Sequence, residues 1–171
     1  MDFSDAGGPM LALRMAVIGT LYLGTTLGLL PWLLLRTEAA RGDFGPWKWL
    51  ALLPLVLGAY ITLRCGRDFA RIGEGTPAPF DPRKKLVVQG LYVYVRNPMY
   101  AGMALILLSE AAFFASRRAL LYTGAAVLVW HLITVFYEEP ALRRKFGADF
   151  AEYCGRVPRW IPRYPRRDTL N

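Results

Sequence analysis

The sequence predicts an all-α integral membrane protein with about four transmembrane helices and a C-terminal amphipathic helix at the membrane interface. Hydrophobic residues make up 54% of the 171 residues, and soluble domains of this size rarely combine such a content with long uncharged runs. Four segments approach the roughly 20 apolar residues that a helix needs to cross a bilayer. A soluble helical bundle would show a polar stripe along each helix, and the first and fourth segments show almost none. One domain, residues 1–171, is expected for this length.

The boundaries of the four spans are set by charges and helix-breaking residues. The first apolar run stops at Arg36, and the second is short and contains Pro54. The fourth run ends where the charged tail begins, after Tyr137. The predicted spans are about residues 15–35, 47–63, 98–116 and 119–137.

The distribution of Lys and Arg predicts the orientation of these spans. Seven of these residues lie in the connection 64–96 and eight follow Tyr137, whereas the connections on the other side carry five. Because cytoplasmic connections carry the excess of Lys and Arg, both termini are expected in the cytoplasm. The N-terminus MDFSDAGGPM is acidic and lacks the basic region of a cleavable signal peptide. The predicted location is a bacterial inner membrane.

The connection between the third and fourth spans brings two unusual clusters together. Arg117 and Arg118 leave room only for a tight helical hairpin, so these spans should be antiparallel neighbours. The start of the third span, YVRNPMYAG at 94–102, then lies at the same cytoplasmic surface as the end of the fourth, FYEEP at 136–140.

The first cluster has a structural and a functional interpretation. Asn97 is a good N-cap and Pro98 a good first helical residue, which is sufficient where a helix enters the membrane. The same helix N-terminus also offers free N–H groups to an anion, and Arg96 can bind a carboxylate or phosphate bidentately. The cluster also contains three tyrosines, Tyr92, Tyr94 and Tyr100. They suit an aromatic belt at the membrane interface, or they present aromatic faces to a sulfonium or ammonium cation.

The second cluster is a pair of carboxylates, Glu138 and Glu139, that follows the fourth span directly. They form either a solvated pair balanced by the basic run 143–145, or a site that accepts hydrogen bonds from ribose hydroxyls or an amino group. His131, seven residues before Glu138, lies on roughly the same helical face and is either a structural hydrogen-bonding group or a functional one. Glu110, inside the third span, is a functional candidate because ionisable groups in a membrane are costly.

Together these residues suit a zwitterionic ligand with a carboxylate, a ribose and a positive centre, and S-adenosylmethionine has all three. The candidate binding residues from this argument are Arg96, Asn97, Tyr100, His131, Glu138 and Glu139. Glu138, Asn97 and Arg96 are also the candidates for a catalytic role. The two cysteines match no zinc spacing, and no metal is expected.

The segments that flank the clusters are consistent with this location. The connection 64–90 is polar and rich in Gly and Pro, and its lone GEG at 73–75 indicates a loop rather than a nucleotide fingerprint. The basic tail spaces Leu142, Phe146, Phe150 and Tyr153 as an interfacial amphipathic helix would. The following residues 157–165 are expected to form a non-helical cover in the headgroup region.

The ordered motifs LVVQGLYVYVRNPMYAG and YEEPALRRKFGADFAEYCGRVPRWIP resemble the integral-membrane methyltransferases, which contain isoprenylcysteine carboxyl methyltransferases and phosphatidylethanolamine N-methyltransferases. The resemblance covers about residues 84–162. It implies that S-adenosylmethionine binds between the start of the third span and the end of the fourth. It also implies a lipophilic acceptor that enters from the lipid, membrane lipids as partners, and no nucleic acid. The residues that match the family's cofactor contacts are Leu86, Val87, Tyr92, Asn97, Pro98, Met99, Tyr100 and Glu138.

Two positions depart from the carboxyl methyltransferases. They usually have His where this chain has Asn97, and the Asn form is similar to phospholipid-methylating and many bacterial members. An arginine that they use for the substrate carboxylate corresponds here to Thr134. Both departures bear on the choice of acceptor and leave the methyltransferase prediction in place.

Two other classes of function are compatible with the sequence. A non-catalytic four-helix membrane module would bind anionic lipid or a protein partner through its basic tail. A membrane reductase would share related C-terminal helices and would be distinguished by its cofactor.

Overall fold

The computed structural model describes residues 9–38, 42–68, 86 and 88–164, and the described residues form helices and turns without a β-strand. Six α-helices lie in this part of the chain. They are α1 (Pro9–Gly24), α2 (Leu30–Thr37), α3 (Leu52–Asp68), α4 (Pro98–Phe113), α5 (Arg117–Ile133) and α6 (Glu139–Arg156).

Several of these helices are continuous with their neighbours. A π turn at Thr25–Leu29 joins α1 to α2, a 3₁₀ turn at Gly45–Ala51 leads into α3, and a π turn at Thr134–Glu138 joins α5 to α6. Three continuous segments are therefore long and apolar enough to cross a membrane, namely Val17–Thr37, Gly45–Asp68 and Arg117–Arg156.

The apolar helix α4 is shorter, about 24 Å at 1.5 Å per residue. It ends at Phe113 rather than at the predicted residue 116, because Ala115 adopts a left-handed conformation (φ 46°) and the hydroxyl of Ser116 caps α5. The all-α polytopic architecture predicted from the sequence is confirmed.

Two helices extend beyond their predicted ends. α3 runs to Asp68, five residues past the predicted end. Pro54 does not interrupt it, because this residue lies in the first turn, where the missing N–H has no helical partner to lose. The helix of the fourth span continues beyond Tyr137, since Pro140 lies at the start of α6 and the backbone passes through the π turn without a break. Within α6 the chain kinks at Gly147, whose φ of 53° and ψ of −121° suit glycine.

α4 lies at the centre of the packing, with α3 on one side and α5 on another. The closest approach is between α3 and α4 at Gly58 and Gly102. A Cβ atom at Gly58 would lie 2.5 Å from the carbonyl oxygen of Gly102, and one at Gly102 would lie 2.7 Å from Thr62 Oγ1. Small residues at this crossing allow the two backbones to touch, as in other membrane helix pairs.

The amphipathic face predicted in the tail packs on the protein itself. Phe150, Tyr153 and Val157 are buried, and Leu142 and Phe146 pack against them together with Leu86. The Tyr153 hydroxyl donates a 2.7 Å hydrogen bond to the carbonyl oxygen of Tyr92. α6 is thereby held against the segment that enters α4.

At the opposite end of the bundle, Glu38 joins α2 to the α4–α5 hairpin. Its carboxylate accepts hydrogen bonds from the Ser116 hydroxyl and from the backbone N–H of Arg118. The Arg118 guanidinium in turn donates to the carbonyl oxygen of Thr37 at 2.7 Å. The Ser116 hydrogen bond is the main reason that the pKa of Glu38 is lowered from its ordinary value of 4.5.

We expect Glu38→Gln to lower the melting temperature of the detergent-solubilised protein by a few degrees at pH 7. Because the folded-state pKa is lowered, the carboxylate stabilises the folded state above its unfolded pKa, and this contribution disappears as the pH falls through the folded pKa. The difference between variant and wild type should therefore shrink between pH 7 and pH 3. Asp149→Asn, at an exposed position of α6, is the control, and an equal difference at both pH values would contradict the assignment.

Candidate active site

The two clusters predicted to meet do so through a hydrogen bond between Tyr100 and Glu138. Tyr100 lies in the first turn of α4, and Glu138 is the last residue of the π turn that follows α5. The phenol donates to Glu138 Oε1 at 2.5 Å. The prediction that the start of the third span and the end of the fourth share one surface is therefore confirmed.

An aromatic pair extends the site inward along α5. The rings of Tyr100 and Trp130 are stacked, with centroids 5.5 Å apart and planes 15° from parallel. The Trp130 indole donates a 3.0 Å hydrogen bond to the hydroxyl of Tyr22 on α1. Tyr22, Trp130, Tyr100 and Glu138 thus form one chain of contacts from the first span to the end of the fourth.

Sequence analysis did not identify Trp130 or Tyr22 as site residues. Trp130 lies eight residues before Glu138, about two helical turns away. This spacing puts both residues on roughly the same helical face and could have identified Trp130. Tyr22 carried no such signal, because it is 78 residues before Tyr100 and only the packing of α1 brings it near.

If the S-adenosylmethionine site predicted from the sequence lies here, Tyr22→Phe should weaken binding of S-adenosylhomocysteine about three- to tenfold. The substitution leaves the indole N–H of Trp130 without its acceptor, at a cost of about 1–3 kcal/mol for a buried donor, and frees the ring that stacks on Tyr100. Binding calorimetry on both proteins measures the change. Tyr60→Phe is the matched control, since Tyr60 is 62% exposed on α3, and equal losses in the two variants would contradict the positioning role of Tyr22.

Glu139 lies in a network of ion pairs. It is therefore not one half of a solvated Glu138–Glu139 pair, which was one of the two interpretations of the sequence. Arg159 binds it bidentately, with Nε to Oε1 at 2.7 Å and Nη2 to Oε2 at 2.8 Å. Arg96 Nη1 lies 3.1 Å from Oε1 and donates to Cys154 Sγ at 2.7 Å. The hydrogen bonds from Arg159 to Glu139 raise the pKa of this guanidinium above its ordinary value. Arg96 and Glu139 are therefore engaged with the protein.

The residues after α6 form a cover over the start of α4. The backbone N–H of Arg96 donates to the carbonyl oxygen of Pro158 at 2.9 Å, and that of Arg163 donates to Tyr94 at 3.0 Å. Asn97 adds a hydrogen bond from its side-chain Nδ2 to the carbonyl oxygen of Arg159 at 3.2 Å. Asn97 is the N-cap residue of α4, as predicted, but its side chain makes no capping hydrogen bond. The helix does begin at Pro98, but the Asn97 amide is used to hold the cover.

His131 is also in contact with this cover. Its Nδ1 accepts a 3.1 Å hydrogen bond from the Trp160 indole, and the two ring centroids lie 5.8 Å apart. This contact favours the interpretation of His131 as a structural hydrogen-bonding group.

The other predicted residues occupy different places. Tyr92 and Met99 are buried beside Tyr100 in the main core, and Pro98 is buried at the start of α4. Leu86 packs on the tail helix, as described above. Val87 lies outside the described residues, as does the GEG sequence at 73–75. Tyr94 is at the surface, edge-on to Tyr164.

Glu110 is far along α4 from this site, one turn before the helix ends. Its Oε2 is buried without a hydrogen-bond partner, and no ion pair to it occurs among the described residues. Arg118, at the start of α5, does not pair with it, since that guanidinium binds Thr37.

Comparison with known proteins identifies the class to which this membrane bundle and site belong. Residues 47–149 match the family model for phospholipid methyltransferases, and the chain belongs to that family. It is also 31% identical over 115 residues to protein-S-isoprenylcysteine O-methyltransferase B of Arabidopsis thaliana. That match covers 66% of this chain and 56% of the relative, so the chain spans little more than half of the relative's length. No solved structure matches the chain significantly.

Proposed function

We propose that the protein is an S-adenosylmethionine-dependent methyltransferase that acts on a lipophilic acceptor in the membrane. The observation that carries the proposal is the Tyr100–Glu138 hydrogen bond, which places a carboxylate and stacked aromatic rings together at the end of the hairpin. Membership of the phospholipid methyltransferase family supports it.

The residues present fit this cofactor. Glu138 is half-buried, and its carboxylate can accept hydrogen bonds from ribose hydroxyls or an amino group, while Tyr100 fixes its position. The faces of Tyr100 and Trp130 attract a sulfonium cation. Tyr92, Met99 and the start of α4 would complete the binding surface. Leu86 and Val87 precede these residues in the sequence and are proposed as cofactor contacts from the family resemblance alone.

The cofactor, when bound, supplies an electrophilic methyl group. The protein's part is to hold the acceptor's nucleophile in line with that group and to exclude water. Arg96, Asn97 and His131 contribute by holding the cover in place, as does Glu139 through Arg159. Glu138 is the proposed ligand-binding carboxylate.

The acceptor is proposed to be an isoprenylcysteine carboxylate or a phospholipid amine. The name of the plant relative points to the first and the description of the family to the second. The exposed apolar side chains of α5 and of the π turn after it leave a lipid-facing surface next to the site; they include Val127, Leu128, Leu132 and Phe136. We further propose that the site faces the cytoplasm of a bacterial inner membrane, on the side of the basic connection and tail.

The test is calorimetric titration of the lipid-reconstituted protein with S-adenosylhomocysteine, with NADPH as control. Micromolar binding of S-adenosylhomocysteine alone is expected. Transfer of a labelled methyl group to a prenylcysteine or to phosphatidylethanolamine would then identify the acceptor. Binding of NADPH alone would indicate a reductase, and binding of neither by folded protein would favour the non-catalytic module.

A further inference from the structure

Asp68, the last residue of α3, is a buried carboxylate whose Oδ2 has no hydrogen-bond partner among the described residues. Only 7% of the residue is exposed, and its Oδ2 accepts no hydrogen bond. Among the described residues its ion-pair partner is the partly exposed side chain of Arg64, with Nε 3.8 Å from Oδ2. A buried carboxylate oxygen without a hydrogen bond is costly, and the C-terminal end of a helix favours cations over anions. The contacts of the described residues therefore do not explain why a carboxylate is buried at this position.

The position of Asp68 relates it to the candidate active site. Its carboxylate lies against Gly90, where an added Cβ would be 2.6 Å from Oδ2. Gly90 begins the short turn that contains Tyr92. One helical turn before Asp68, Cys65 packs in the same core as Tyr92 and Tyr100. Asp68 therefore borders the site on its α3 side.

The cations on the other side of the site are already engaged. Arg96 and Arg159 both contact Glu139, so neither neutralises Asp68. A ligand that brings its own positive group would satisfy this carboxylate through a charge-assisted hydrogen bond.

We propose that Asp68 binds the primary ammonium group of the cofactor's amino-acid half. This inference rests on the proposed function. It assigns opposite ends of one ligand to two carboxylates: Glu138 accepts the ribose hydroxyls and Asp68 accepts the ammonium. It also gives Gly90 a reason to lack a side chain, because a Cβ there would occupy the space that the carboxylate needs.

The test compares wild type with Asp68→Asn, which keeps the shape and removes the charge. Three ligands are titrated into each reconstituted protein: S-adenosylhomocysteine, its deaminated analogue, and 5′-methylthioadenosine, which lacks the amino-acid half. Loss of a charged hydrogen bond, about 1.5–3 kcal/mol, predicts at least tenfold weaker binding of S-adenosylhomocysteine to the variant. Binding of 5′-methylthioadenosine should be the same for both proteins.

Arg64→Gln is the matched control, since it removes the weak ion-pair partner and should not weaken binding of S-adenosylhomocysteine. Equal affinity of wild type and Asp68→Asn for S-adenosylhomocysteine would overturn the proposal, as would an equal loss for 5′-methylthioadenosine. If Asp68→Asn does not fold, the wild-type protein alone still tests the proposal. Equally tight binding of S-adenosylhomocysteine and its deaminated analogue would contradict an ammonium site. Failure of the wild type to bind S-adenosylhomocysteine at all would instead contradict the proposed function.

Discussion

Replacing Glu138 by glutamine is expected to weaken binding of S-adenosylhomocysteine at least 100-fold while the protein remains folded. The carboxylate is proposed to accept hydrogen bonds from two ribose hydroxyls, and hydrogen bonds to a charged group contribute about 1.5–3 kcal/mol each. Glutamine keeps one acceptor oxygen and loses the charge. Glu138→Ala should remove binding altogether.

Calorimetry with S-adenosylhomocysteine measures this effect, and thermal unfolding reports whether the fold is retained. Glu152→Gln is the control, because the Glu152 side chain is 68% exposed and pairs with Arg156 on the outer face of α6. Tyr100→Phe should give an intermediate loss, since it removes the hydrogen bond that positions Glu138 but leaves the carboxylate. Wild-type affinity in both Glu138 variants would refute the site assignment.

The second large effect is expected on stability, from Gly58→Ala in α3. The new methyl group would lie 2.5 Å from the backbone oxygen of Gly102, which no side-chain rotation relieves. Overpacking costs about 1–3 kcal/mol and more when backbone must move. We expect a decrease in melting temperature on the order of 10 °C, at about 2–4 °C per kcal/mol for a chain of this size.

Gly124→Ala in α5 is the matched control. No atom lies within 4 Å of a Cβ placed there, and alanine has the better helix propensity, so the melting temperature should stay the same or rise slightly. Thermal unfolding in detergent, followed by the helical circular dichroism signal, compares the two variants. A stable Gly58→Ala protein would show that α3 and α4 are not in backbone contact.

The meeting of the two clusters could be predicted because it depends on local geometry. In the sequence, Arg117 and Arg118 are the only charged residues between the two apolar runs, and a connection so short forces an antiparallel pair. Tyr100 and Glu138 then have to lie at the same end. The same argument could not identify their other partners, because periodicity indicates a helix face but not the helix that covers it.

The composition and the order of apolar and charged residues alone determined that this protein is an all-α membrane bundle with a polar site at one end of its central hairpin. This could be predicted because a run of about 20 apolar residues is enough for a helix to cross a membrane, whatever the other segments do. The tertiary structure decided which groups satisfy one another: Trp130 with Tyr22, Glu139 with Arg159, and Asn97 with the cover instead of its own helix. It also left Asp68 buried beside Gly90. These pairings join residues that are far apart in the chain, and only the packing of complete helices brings their polar atoms within hydrogen-bonding distance.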